Sequence, residues 1–155
     1  MEEDFLTSRI HKMPTLGLGV STEYGAFQAE GSLDIAALRH EYPQYAQFLE
    51  VGIESAKGVD VDVMQWVSQG GATTYHFLDI NLHDPEGLDQ AWLGQLRTMM
   101  DDIKAHWVCG DAGVWFFGQR HPLQMTLLPP ILDKDNAIAY GDSLRICHSV
   151  FEREV

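Results

Sequence analysis

Phe48-Leu-Glu-Val-Gly-Ile-Glu54, Val61-Asp-Val-Met-Gln-Trp-Val67 and Ala72-Thr-Thr-Tyr-His-Phe-Leu-Asp-Ile80 are consecutive segments of the chain. The first and third are rich in β-branched and aromatic residues and read as strands. The middle one spaces its apolar groups at helical intervals and stops at Gly70-Gly71. A strand, a helix and a strand in that order predict two parallel strands joined by a crossover. The same order continues on both sides. Upstream, Leu16 to Tyr24 reads as a glycine-flanked strand. Asp34 then caps a helix opening on Ile35, Ala37 and Leu38, which Pro43 breaks or bends. Downstream, Leu88, Trp92, Leu96, Met99 and Ile103 form one stripe of a helix. His106 to Gly110 starts a fourth strand. After a long loop through Pro122 and Pro129-Pro130, Asp133 to Glu152 closes as a helix, and Val155 falls where a fifth strand would begin.

Four strand–helix units in strict alternation predict an α/β fold with a parallel sheet. Residues 1–155 read as a single domain, four β-α units of a TIM-barrel-like fold. Eight units close such a barrel, so four make a half or incomplete one and leave two sheet edges to be managed. A second copy of the chain, a partner chain or further sequence could supply the rest, and a dimer or completion by another segment is expected.

Composition narrows the function. The 155 residues hold 10 Lys+Arg against 23 Asp+Glu, a net charge of −13. That balance argues against a nucleic-acid partner, which calls for a basic face, and against docking on an anionic membrane. No apolar run approaches the ~20 residues of a membrane span. The acidic start, Met1 to Arg9, has no apolar signal core, and the two cysteines lack a Cys-x-x-Cys spacing. Reduced thiols and a cytoplasmic protein are the expectation.

Several short matches fail. Gly17-Leu-Gly19 lacks the third glycine of a dinucleotide loop, and His40-Glu41 lacks the second histidine of a zinc-protease helix. Asp79-x-Asn81-x-His83 begins like a calcium loop, but Asp84 replaces the required glycine and Gln90 the bidentate glutamate. A cluster at the C-terminal ends of the strands remains. In parallel α/β folds, functional groups collect there. Glu50 and Glu54 are four apart on one strand and so face the same way. His76 stands on the next strand and Asp111 after the fourth. Two carboxylates on an otherwise apolar strand repel unless a positive charge lies between them. A cation is the simplest answer, and Glu54, His76, Asp111 and Glu50 are its candidate ligands. Oxygen donors with one imidazole suit Fe, Mn or Zn. Each residue also has a structural alternative. Glu50 can be a solvated strand-start acid, and Glu54 can pair with Lys57. His76 can be a hydrogen-bonded core histidine, and Asp111 a turn residue between Gly110 and Gly113. Asp101-Asp102, unfavourable at a helix C-terminus, reads as a solvated face, and Cys109 as a buried, inert thiol.

Four segments together carry a resemblance: Leu16-Gly-Leu-Gly19; Phe48 to Glu54; Tyr75-His-Phe-Leu-Asp-Ile-Asn-Leu82; and Val108-Cys-Gly-Asp-Ala-Gly-Val-Trp115 with Leu127-Leu-Pro-Pro130. In order and spacing the chain resembles the N-terminal half of the multinuclear non-heme iron oxidases. The resemblance implies a TIM-type barrel with two or three iron ions at the strand C-termini. It also implies O₂-dependent oxidation of a peptide substrate, presented by a partner protein. Glu54, His76 and Asp111 would correspond to ligands. Gly52, Ser55 and Ala112 stand where the family has His, Asn and His. The function expected is therefore that of an iron-dependent oxidase-like protein, incomplete alone. Two alternatives stand beside it: a non-catalytic interaction module on the same fold, and a sugar isomerase or phosphodiesterase using Zn, Mn or Mg.

Overall fold

A computed structural model describes residues 7–23, 34–84, 87–117 and 127–155. Four strands, β1 (Gly19–Glu23), β2 (Phe48–Ile53), β3 (Ala72–Phe77) and β4 (Val108–Gly110), alternate with four helices. These are α1 (Ile35–Glu41), α2 (Val61–Ser68), α3 (Gln90–Asp102) and α4 (Lys134–Phe151). The sheet has the order β1-β2-β3-β4, and every neighbouring pair is parallel. An order that never reverses, with right-handed crossovers, sends each crossover helix to the same face of the sheet.

The core follows from that asymmetry. Leu49, Val51 and Ile53 of β2, Tyr75 and Phe77 of β3 and Val108 of β4 are buried together with Ile35, Trp66, Trp92, Leu96, Met100 and Phe151 from the four helices. Thr73, on the same side, keeps its hydroxyl satisfied by donating to the Ile103 carbonyl at 2.6 Å, and Tyr75 donates to the Ile53 carbonyl at 2.8 Å. The opposite face carries Ser21, Glu50, Thr74, His76 and Cys109, by the two-residue alternation of the paired strands.

Aspartates cap each of α1 to α4: Asp34, Asp60, Asp89 and Asp133 each accept from a first-turn backbone N–H. α1 ends at Glu41, two residues before Pro43, so the proline terminates the helix rather than bending it. Two glycines expected to bound a strand have packing roles instead. Gly17 sits at φ +85° with the Gln47 amide where a Cβ would be, and the Phe48 ring lies against Gly19. β3 stops at Phe77, three residues before the expected end, because the next residues turn to make side-chain bonds. The fifth strand is present in embryo: Glu154 makes a parallel bridge to Trp107, and its carbonyl accepts from the Val108 N–H at 3.0 Å. Asp101 is not simply solvated, for Arg153 donates to it at 2.7 Å while also binding the Ala105 carbonyl. That pairing offsets an acid at a helix C-terminus. Among the described residues, no helix is long and apolar enough to cross a membrane. Tyr24, the expected end of the first strand, and Pro122 lie outside them.

Candidate functional site

β2 and β3 are registered so that Glu50 faces Thr74 and Gly52 faces His76; on the other side, His76 faces Cys109. All of these side chains rise from the face away from the helices. Gly52 presents no side chain beside His76, which leaves the imidazole room between its neighbours. The ring lies with Nδ1 3.8 Å from Glu50 Oε1 and Nε2 3.4 Å from Asp111 Oδ2. The three side chains are partly accessible, at 28% for Glu50, 22% for His76 and 46% for Asp111, so a solute can reach them.

Glu50 is held from both flanks. The Ser21 hydroxyl of β1 donates to Oε1 at 2.7 Å, and the Cys109 thiol of β4 donates to Oε2 at 3.4 Å. The site thus takes one group or more from each of the four strands and the residue just after β4. Burial, with the Glu50 carboxylate beside it, pushes the Cys109 thiol up to about 12, so it stays protonated and serves as a donor. Next to Glu50, Thr74 is fully buried, and its Oγ1 has no hydrogen-bond partner.

Three of the four sequence candidates, Glu50, His76 and Asp111, therefore come together. Glu54 does not join their contacts. It is buried one residue beyond β2, 3.7 Å from Lys57 Nζ, the pairing that the sequence allowed as its structural role. Ser21, Thr74 and Cys109 were missed as members of the site. Their signal was strand parity, which needs the register between strands to be useful. Cys109 is half-buried rather than sealed in the core.

The polar residues beyond β3 have structural work. Asp79 accepts from Trp92 Nε1 at 2.8 Å and from the backbone N–H and hydroxyl of Ser55 at 2.8 and 2.7 Å. Asn81 donates to the Phe116 carbonyl at 2.9 Å and accepts from the Trp115 N–H at 2.7 Å, fastening the loop after β4. His83 stacks on Tyr140 with ring centres 5.2 Å apart.

The donor set fits a divalent cation in chemistry: two carboxylates and an imidazole on adjacent strands, with an unpartnered buried hydroxyl beside them. In the arrangement described, these groups face one another, and among the described residues no three His, Cys, Asp or Glu side chains are grouped as a metal cage. Comparison with protein-family models, curated proteins and solved structures finds no match to this chain.

Proposed function

We propose that this chain is a half-barrel, iron-dependent oxidase-like protein acting on a peptide, with Glu50, His76 and Asp111 as its metal-binding groups. The observation that carries the reading is the carboxylate–imidazole–carboxylate series from β2 and β3 to the residue just after β4, at 3.8 and 3.4 Å. The order and spacing of the four segments that resemble the multinuclear iron oxidases support it further. Glu54, one residue beyond β2, is the third carboxylate among the candidates; the resemblance makes it a ligand, but it pairs with Lys57 and stands outside this cluster. When bound, iron supplies the activation of O₂. The chain's own residues bind and orient: Ser21 and Cys109 fix both Glu50 oxygens, and the accessible flank of Asp111 leaves an approach for the substrate. A second copy or another segment completes the barrel, and a partner protein presents the peptide.

A non-catalytic interaction module is the second reading. It is favoured by the way Glu50, His76 and Asp111 already face one another. Anaerobic Fe(II) titration separates the two. Metal binding predicts saturable Fe(II) uptake, with affinity at least about tenfold lower in His76→Ala, and O₂ consumption by the loaded protein when a peptide is added. Saturable Zn, Mn or Mg binding without iron uptake would point to an isomerase or phosphodiesterase. No binding of any of the four ions would leave the module.

A further inference from the structure

Among the described residues, β4 is the last strand of the sheet, and its outer edge is only begun upon. The Val108 N–H points outward and donates to the Glu154 carbonyl at 3.0 Å, in a parallel bridge between Trp107 and Glu154. In a parallel ladder, outward-directed backbone groups recur every second residue, so the N–H and C=O of Gly110 face the same edge. Beside this edge lies a pocket of about 350 Å³, lined by Ile10, Met13, Trp107, Val108, Cys109 and Val155 together with the Arg9–Glu154 ion pair. Val155 already packs against the main core, on the helix side, in line with Val108.

We infer that the outer edge of β4 is a strand acceptor, and that its occupant is an extended fifth strand laid parallel to β4 in line with Glu154–Val155. The register is set by the bridge: the residue after Val155 falls opposite Cys109, and the next opposite Gly110. Alternation then fixes the chemistry of the occupant. The position opposite Cys109 looks onto the face bearing Glu50 and His76 and is polar. The position opposite Gly110 follows Val155 towards the helices and is apolar. An occupant of this kind satisfies the open backbone groups and covers the apolar pocket walls, the two costs of a bare edge. The inference stands on backbone register alone and is independent of any metal.

The test appends six residues after Val155, alternating Thr and Val and starting with Thr, and compares them with a Gly/Ser tail of equal length. Hydrogen exchange is read at the Gly110 amide, and light scattering monitors the oligomeric state. The Thr/Val tail is expected to slow exchange at Gly110 at least about tenfold relative to the Gly/Ser tail and to raise Tm, with the chain's oligomeric state unchanged. Placing Pro first in the tail, opposite Cys109, removes the N–H that would donate to the Val108 carbonyl and should abolish the protection. Equal exchange with both tails would overturn the inference, as would protection that survives the proline or arises only on association of two copies.

Discussion

At the scale of single residues, the decisive contacts are those that leave no room for an extra atom. An added Cβ at Gly71 would lie 2.2–2.5 Å from the Trp66 indole, a buried ring that donates to the Ala72 carbonyl at 2.9 Å and carries the Arg39 guanidinium 4.6 Å above its centre. Gly71→Ala should therefore cost about 1–3 kcal/mol by overpacking. Gly70, at φ +75° with open space around it, should cost about 1 kcal/mol as Gly70→Ala, through backbone strain alone. Urea unfolding of the two variants checks the contrast. The thiols give a second prediction. Burial pushes Cys109 and Cys147 from 9.0 up to about 12. Below 9.0 both folded and unfolded chains keep these protons, so the stabilisation is fully present. Between 9.0 and 12 only the unfolded chain releases them, so stability falls as pH rises. Unfolding free energy measured across that window should decline, and Cys147→Ala should flatten the decline. Iodoacetamide should label the native thiols more slowly than the urea-unfolded ones.

At the scale of elements, the order of strands and helices was legible because each element repeats its own period, two or 3.6, between clear stop signals. The ends were less so. β3 ends early because Asp79 turns away to bind Trp92 and Ser55, partners distant in sequence. Those bonds join the ends of β2 and β3 to α3. Trp92→Phe keeps the edge-on contact with Phe77, now 5.8 Å between centres, but strips a donor from the buried Asp79 carboxylate. A loss of about 1–3 kcal/mol is expected from denaturant unfolding, larger than for Gln90→Ala on the exposed start of the same helix. The candidate site was legible to the same degree. Parity placed Glu50 and Glu54 on one side of β2, and His76 and Asp111 were visible as strand-end polar groups. Parity could not say which glutamate meets the imidazole. That depends on the register that sets Gly52 against His76, and on Lys57 reaching back to Glu54.

At the scale of the whole molecule, one face of a parallel sheet is packed under four helices, while the other carries a cluster of carboxylates, an imidazole and a thiol. Such a division of labour suits a sheet whose strands all point the same way, since their C-terminal ends gather at one rim. It also explains how a chain of net charge −13 keeps acidic groups together on an accessible face, where a cation would relieve their repulsion. Anomalous diffraction from crystals grown with Fe(II) under anaerobic conditions tests that ligation most directly. The prediction is a peak within bonding distance of His76 and at least one of Glu50 and Asp111, absent in His76→Ala crystals. No peak at this cluster, or one that persists without the imidazole, would contradict it.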